Sequence, residues 1–317
     1  MDGRRNKLRT AVLLSSLLGL FITGTFAQEQ AGEPWESALY NDHPLVGSIW
    51  KSADGSLIDA ATLNRELANA RYLLLGEKHD NPDHHRIQQF IVDSILANKA
   101  LSNIAFEMMD TGMQPRLDTI QAQDIDTLDE LKQYLSWDEE GWDWSFYGPL
   151  IFAVLQSRIE ISAANISNET MMQVYAESLA DEIAAVLGEA IVARLNSDID
   201  ESHCGLLPAS QFPAMVRVQQ TRDHQMALAL TSTGGEDISV LIAGNYHVRQ
   251  DLGVPNYILA LDSSSSRNEI LSVALLEVEF GETDPAVYLE SESDLAAFDY
   301  IWFTPAISDE DYCASLQ

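Results

Sequence analysis

Three short apolar runs, each followed directly by polar residues, constrain the fold of this chain most strongly. The first is RYLLLGE, which ends at Glu77; the second is LSNIAFEMM, which leads to Glu107; the third is DISVLIAGNYH, which ends at His247. Continuously apolar runs of this length are typical of parallel strands that are covered on both faces. We therefore expect the three runs to be strands of one buried sheet.

The segments between these runs predict helices and further strands. In NPDHHRIQQFIVDSILAN, Asn81 can cap a helix, Pro82 suits its first position, and apolar residues follow at helical spacing. IEISAAN, NYILALD, ILSVALLEVEF and FDYIWFT are expected to be additional strands. The alternation predicts an α/β fold with a central, mostly parallel sheet, helices on both faces, and a helical cap inserted at about residues 113–235.

The N-terminus has the layout of a secretory signal. A basic stretch, MDGRRNKLRT, precedes the apolar run AVLLSSLLGLFITG and small residues up to Ala27. The run is shorter than the roughly 20 residues of a membrane span, although an uncleaved anchor is the alternative. We expect a signal peptide at 1–27, a linker or arm at 28–44, and the α/β domain at 45–317. The expected location is periplasmic or secreted, with no stable membrane insertion after signal removal.

Charge and cysteine content narrow the classes of partner and compartment. The chain has 49 acidic and 18 basic residues and a net charge of −31, which disfavours binding to nucleic acid or to an anionic bilayer. Its two cysteines, Cys204 and Cys313, lie outside any CxxC motif. In an exported protein such a pair favours a structural disulfide.

Two of the strand ends carry the same Gly-x-x-His pattern. Gly76 is followed by His79, and Gly244 by His247. Ligands of open α/β sheets bind beyond the carboxyl ends of the strands, so neighbouring strands would bring His79, His247 and Glu107 together. Two imidazoles and a carboxylate suit zinc, manganese or iron with an open coordination position. Each histidine alone is equally explained as a hydrogen-bonded loop residue.

Other polar and aromatic residues are candidates for the same pocket. His84 is expected on the buried face of the helix that follows the first strand, and His85 is expected to be idle. Among the aromatic residues of WDEEGWDWSFYGPL, we expect most in the core and Tyr147 in a pocket. In a hydrolase, Glu77 would be the general base, and Arg249 or Arg222 would stabilise an oxyanion. The sequence contains no G-x-S-x-G motif of a serine hydrolase.

Several ordered blocks of the sequence resemble one known family. The blocks LLGEKHDNPDHH, FEMMD, WDEEGWDWSFYGPL, AAN, HCGLLP, QTRDHQMA and AGNYHVRQDLGVP, with FDYIWFTP near the end, are similar to ChaN-like haem-binding uptake proteins of the Tiki/TraB/erythromycin-esterase superfamily. The resemblance implies an erythromycin-esterase/ChaN-like fold and an exported protein of haem or iron uptake. It also implies that the metal site of the superfamily corresponds to His79, Glu107 and His247, with Glu77 beside them.

The chain departs from the family at two points. It has no lipobox cysteine, and Tyr246 stands where relatives usually have a small residue. Tyrosine and histidine both serve as axial ligands of haem iron, so we assign Tyr147, Tyr246 and His84 to cofactor binding without naming the axial ligand. The predicted function is extracytoplasmic haem binding; a hydrolase dependent on a divalent transition metal is the alternative. The expected partners are haem or a related tetrapyrrole, with a homodimer left open.

Overall fold

The computed structural model describes residues 34–98, 101–232, 237–289 and 295–315. The expected signal segment, residues 1–27, lies outside the described residues. The described part contains one eight-stranded sheet. Its strands are β1 (Ile49–Lys51), β2 (Ser56–Ile58), β3 (Tyr72–Glu77), β4 (Leu101–Asp110), β5 (Glu160–Asn165), β6 (Ile238–Gly244), β7 (Ile270–Glu277) and β8 (Tyr300–Thr304).

The sheet is parallel except at one edge. Its strand order is β2-β1-β8-β7-β3-β6-β4-β5, and the pairs β1–β2 and β1–β8 are antiparallel. All other pairs are parallel, and β6 lies directly between β3 and β4. The mostly parallel α/β fold predicted from the sequence is therefore confirmed.

Helices cover both faces of this sheet. They are α1 (Ala60–Leu67), α2 (Pro82–Ala97), α3 (Gln114–Leu117), α4 (Leu128–Leu135), α5 (Trp144–Gln156), α6 (Asn168–Ala176), α7 (Asp181–Ala184), α8 (Glu189–Ser202), α9 (Phe212–Thr231), α10 (Val254–Leu261) and α11 (Tyr312–Ser315).

Alternate residues of each strand supply two hydrophobic cores. In β3, Leu73 and Leu75 face the core that contains Ile91 of α2 and Ile151 of α5. Leu74 faces the opposite core, which contains residues of α9 and α10. Because successive strand side chains point to opposite faces, a run that is apolar at every position requires a cover on both sides.

Helix α2 begins where the sequence predicted. The side chain of Asn81 accepts hydrogen bonds from the backbone N–H groups of Asp83 and His84, and Pro82 occupies the first turn. The fully buried Asp83 carboxylate accepts the N–H groups of Glu36 at 3.1 Å and Ser37 at 2.9 Å. Residues 36 and 37 of the predicted linker or arm are therefore bonded to the domain.

The segment predicted as a helical cap, residues 113–235, contributes more than a cap. It supplies α3 to α9 together with β5, which forms one edge of the sheet. Helix α5 packs into one core, whereas α9 packs into the core on the other face. Helices α6 and α8 lie against α9, and these three helices frame a cleft that is described below.

The predicted strand NYILALD is wrong. These residues belong to helix α10, which has Pro255 in its first turn and packs against α9. Pro255 fits the first turn of a helix because its missing N–H would have no partner there in any case. A short run that is apolar throughout lacks the periodicity that distinguishes a buried helix from a strand.

The two cysteines form the expected disulfide. Cys204 follows α8, and Cys313 lies in α11, 109 residues further along the chain. Within the described residues, none of the helices has the length and apolar character needed to cross a membrane.

Loss of this disulfide should destabilise the protein measurably. Reduction, or the variant Cys313→Ser, should lower the free energy of unfolding by about 2–4 kcal/mol because the cross-link closes a long loop in the unfolded chain. Urea denaturation with and without dithiothreitol measures this difference. The double variant Cys204→Ser/Cys313→Ser should not respond to the reductant. Coincident curves for the oxidised and reduced unsubstituted chain would contradict the expectation.

Candidate functional site

Three parallel strands bring the predicted ligands to one edge of the sheet. Glu77 of β3 is the register partner of Gly244 in β6, and β4 lies on the other side of β6. His79 follows β3 by two residues, His247 follows β6 by three, and Glu107 projects from β4 itself. The chain therefore delivers these side chains to a common point without long loops.

Both imidazoles point at the Glu107 carboxylate. The Nε2 atom of His247 lies 3.4 Å from Oε1 of Glu107, and the Nε2 atom of His79 lies 3.9 Å from its Oε2. Metal–ligand bonds of about 2.0–2.2 Å that meet at tetrahedral angles hold their donors roughly 3.3 Å apart. The His247–Glu107 spacing meets that separation, and the His79–Glu107 spacing exceeds it.

A further carboxylate holds the other nitrogen of each imidazole. Nδ1 of His79 lies 2.8 Å from Glu77, and Nδ1 of His247 lies 2.5 Å from Asp223 of α9. Carboxylates in this position fix the tautomer and orientation of metal-binding histidines. Among the described residues, no group of three or more His, Cys, Asp or Glu side chains is already arranged to hold a metal ion. His79, Glu107 and His247 are side chains of the types that bind metal ions. Of the two imidazoles, that of His79 lies further from Glu107 than shared coordination of one ion requires.

The charges at this point stabilise each other. Burial alone would raise the pKa of Glu107, but His247 and His79 hold it at about 2. Burial alone would lower the pKa of His247, but the Glu107 and Asp223 carboxylates raise it to about 10. At neutral pH and without a metal, an imidazolium therefore lies between two buried carboxylates. A metal that binds here must displace that proton.

The two glycines of the repeated pattern are required by close packing. A Cβ on Gly244 would lie 3.0 Å from His79 Nε2 and 3.6 Å from Glu107 Oε2. A Cβ on Gly76 would lie 2.4 Å from Asn245 Oδ1 and 2.6 Å from a methyl group of Val248. Both glycines lie within strands and have ordinary φ angles. Close packing against neighbouring side chains, and not a turn of the backbone, therefore requires glycine at both positions.

Glu77 is buried, and its hydrogen bonds go to one of its two carboxylate oxygens, whereas the other oxygen has no hydrogen-bond partner among the described residues. The Tyr147 hydroxyl donates to its Oε1 at 2.6 Å, and His85 Nδ1 lies 3.4 Å from Oε2. Burial and the Glu77 charge raise the pKa of Tyr147, which keeps that phenol a neutral donor. The contact at 2.8 Å between Glu77 and His79 Nδ1 orients that imidazole, and the role of Glu77 as a general base stays a prediction. The hydroxyl contact places Tyr147 behind the site as a support for Glu77.

The contacts of His84 and His85 differ from the roles predicted for these two histidines. His84 is fully buried: the N–H of Lys78 donates to its Nδ1 at 2.8 Å, and its Nε2 lies 2.9 Å from Thr304 Oγ1. Burial lowers its pKa well below the usual value. Both nitrogens are occupied, so the cofactor role predicted for His84 is not retained. His85, expected to be idle, is buried against Glu77 and stacks on Phe146.

Arg249 lies outside the site that was predicted for it. Its guanidinium forms a bidentate ion pair with Asp251, at 3.0 and 2.8 Å, and contacts the rings of Tyr246 and Phe298. An arginine held in this way is not positioned to stabilise an oxyanion beside His79 and His247. The catalytic role predicted for Arg249 is therefore not supported by the geometry.

The carboxyl edge of the sheet opens into a polar pocket. This strand-end pocket has a volume of about 710 Å³, and its walls include Glu77, His79, Gly244 and His247. Tyr246 forms part of the same wall. The imidazoles of His79 and His247 are therefore accessible from this pocket, whereas Glu107 is buried behind its wall.

A second cavity, the apolar cleft, lies between α6, α8 and α9. Its volume is about 670 Å³, and its walls are mostly apolar, with Met171, Leu195, Ile199, Met215 and Val218 among them. A volume of this size falls within the roughly 300–1,000 Å³ range of small-molecule pockets. No local sequence pattern predicts this cleft, because three separate helices form it.

Tyr246 belongs to both cavities. It lines the apolar cleft as well as the strand-end pocket. Its hydroxyl donates to Asp198 Oδ2 at 2.7 Å, and Asp198 is also paired with Arg194 at 2.5 Å. Gln219, another cleft residue, lies 3.0 Å from Nδ1 of His247. The two cavities are thus direct neighbours.

Comparison with known proteins gives one family and one solved relative of similar sequence. The family described as haem-binding uptake, Tiki superfamily, ChaN matches residues 63–258. The ChaN protein of Campylobacter jejuni, in a solved structure of its cofacial haem binding, is 27% identical in sequence to this chain. The TM-score between the two structures is 0.66, and the match covers 80% of this chain and 95% of that one.

Other comparisons add less. A mutant of the erythromycin esterase EreC in its open conformation is 13% identical with a TM-score of 0.45, over 80% of this chain and 95% of that one. No curated protein sequence matched the chain.

A side chain at Gly244 should disturb the site and the fold together. In Gly244→Ala, the new methyl group would meet His79 Nε2, so we expect a loss of about 1–3 kcal/mol in the free energy of unfolding. Gly188→Ala is the control: a Cβ there has open space, and because Gly188 is the N-cap of α8 the change should cost less than about 1 kcal/mol. Urea denaturation measures both variants, and equal stabilities would refute the packing argument.

Proposed function

Because this chain belongs to the ChaN family of haem-binding uptake proteins in the Tiki superfamily, we propose that it binds haem outside the cytoplasm and serves in haem or iron uptake. The observation that carries the proposal is the apolar cleft between α6, α8 and α9, which adjoins the candidate site through Tyr246. Haem is a large, flat and mostly apolar ligand with two charged propionates. A site for it must combine apolar walls with a few polar groups.

The cleft residues fit such a ligand. The walls of the cleft carry side chains of the types that bind haem iron. They are the phenols of Tyr175 and Tyr246, the imidazole of His203, and the thioether of Met171. Bound haem would supply an iron with open axial positions. Of these residues, Tyr246 has a base beside it, since Asp198 accepts a hydrogen bond from its hydroxyl at 2.7 Å. That contact orients the Tyr246 oxygen and can hold the proton that a phenol gives up.

The disulfide supports the proposed location. Disulfide bonds persist in oxidising compartments such as the periplasm and the extracellular space, and they are rare in the cytosol. Cys204 and Cys313 are bonded, and the N-terminal residues have the composition of a secretory signal. Both observations favour a periplasmic or secreted protein.

Hemin titration tests haem binding directly. The purified chain should shift and sharpen the Soret band of hemin with a saturable stoichiometry. Tyr246→Phe should shift the band position and weaken binding by about tenfold, which corresponds to about 1.4 kcal/mol. Tyr134→Phe is the control, because Tyr134 is exposed on α4. A spectrum identical to that of free hemin at saturation would end the proposal.

A metal-dependent hydrolase is the second candidate function. The observation that favours it is the convergence of His79 and His247 on Glu107, with a carboxylate behind each imidazole. Zinc, manganese or iron at these three residues would supply a Lewis acid and would lower the pKa of a bound water. Glu77 and Asp223 would hold the imidazoles in place. His79, whose side chain is 39% exposed, has room to move towards Glu107.

Elemental analysis tests this second function. If it is correct, the isolated protein should contain about one equivalent of zinc, manganese or iron per chain, by analogy with mononuclear sites of this donor type. His79→Ala and His247→Ala should each remove that metal, because each takes away one of the three donors. His43→Ala is the control, since His43 lies in the arm, before β1. Equal metal content in all four proteins would refute the site.

A further inference from the structure

Arg222 is a cation in the wall of the apolar cleft. It lies on α9 with Met215, Val218 and Gln219, at the spacing that places these residues on one face of the helix. Its Nε is buried and has no hydrogen-bond partner. The one contact of its Nη2 is the sulfur of Met171, at 3.8 Å. Across the ranges that the structure describes, Arg222 takes part in no ion pair.

The neighbouring charged groups are already satisfied. Asp198, the acidic residue in the cleft wall, is paired with Arg194 and accepts the hydroxyl of Tyr246. Arg217, one turn earlier on α9, donates to the carbonyl oxygens of Val174 and Tyr175. Arg222 therefore differs from the other cations around the cleft.

The buried Nε of Arg222, which has no acceptor among the apolar side chains around it, has a physical cost. A buried donor that lacks an acceptor loses the hydrogen bonds it had in water without replacement. The chain has 49 acidic residues against 18 basic ones, so acceptors for an arginine are abundant on it. An Arg222 that pairs with none of them within the described residues is consistent with an acceptor that arrives with a ligand.

We infer that Arg222 binds a carboxylate of the cleft's ligand, and so selects apolar ligands that carry an acid group. The inference rests on the proposed haem function, for which the carboxylate is a propionate of the porphyrin. The guanidinium matches carboxylate geometry with two parallel N–H donors. Apolar walls hold the body of the ligand, and Arg222 fixes its orientation at one edge.

Two porphyrins that differ only at the acid groups test this role. Protoporphyrin IX has the carboxylates but no iron, and its dimethyl ester has the same apolar body without the charge. The full chain should bind the acid about 10–100-fold more tightly than the ester, as expected for a charge-assisted hydrogen bond in a dry site. Fluorescence titration measures both affinities.

Variants at Arg222 should remove the preference specifically. Arg222→Gln should bind the acid and the ester with equal affinity, while its affinity for the ester stays that of the unsubstituted chain. Arg222→Lys, which keeps the charge but loses the fork of donors, should retain an intermediate preference. Arg65→Gln is the control: it removes one positive charge from exposed α1 and should keep the full preference. Circular dichroism verifies that each variant is folded.

The outcomes separate this inference from the proposed function. If Arg222→Gln keeps the unsubstituted chain's preference for the acid, the role of Arg222 is refuted, and a Soret shift with hemin would still support haem binding. If hemin gives no shift but the acid preference depends on Arg222, the carboxylate role stands and haem binding falls. If neither porphyrin binds, the carboxylate role is refuted, and the hemin titration alone decides whether the chain binds haem.

Discussion

Parallel pairing of β3, β6 and β4 is the constraint on which the rest of the site depends. Parallel strands end at the same edge of a sheet, so residues that are distant in the sequence meet there. Glu107, buried in β4, could not remain ionised in that interior without neighbouring positive charge. His79 and His247 supply that charge, and Asp223 secures His247 from α9. The sheet fixes the positions, and mutual electrostatic stabilisation fixes the ionisation states.

The sequence revealed those features that are written in local patterns. Apolar runs identified β3, β4 and β6, and the pair Asn81–Pro82 located the start of α2. The repeated Gly-x-x-His pattern selected the residues that the structure brings together. The sequence alone does not show why glycine is needed at 244. The reason is the side chain of His79, which follows a different strand and packs against Gly244. The run NYILALD misled because uniform hydrophobicity hides the helical period.

Other features depend on tertiary packing that no local pattern records. Asp223 contacts His247 from the face of a long helix, and His85 contacts Glu77 through a turn of α2. From the sequence alone, an acidic residue or a histidine on an amphipathic helix cannot be distinguished from an ordinary surface residue. The apolar cleft likewise exists because α6, α8 and α9 meet. The cleft adjoins the strand-end pocket, because Tyr246 lies in the walls of both.

The contact between the arm and α2 brings residues 36 and 37, which precede the predicted domain start at residue 45, into the packed part of the protein. Asp83 is completely enclosed, and its oxygens take the N–H groups of residues 36 and 37 as well as the Arg86 guanidinium. In a truncated chain that began at residue 45, the Asp83 carboxylate would lose these two backbone donors. Asp83 lies in the first turn of α2, the helix that follows His79. Residues 36 and 37 therefore support the start of α2, and a recombinant version intended to preserve this contact should include them.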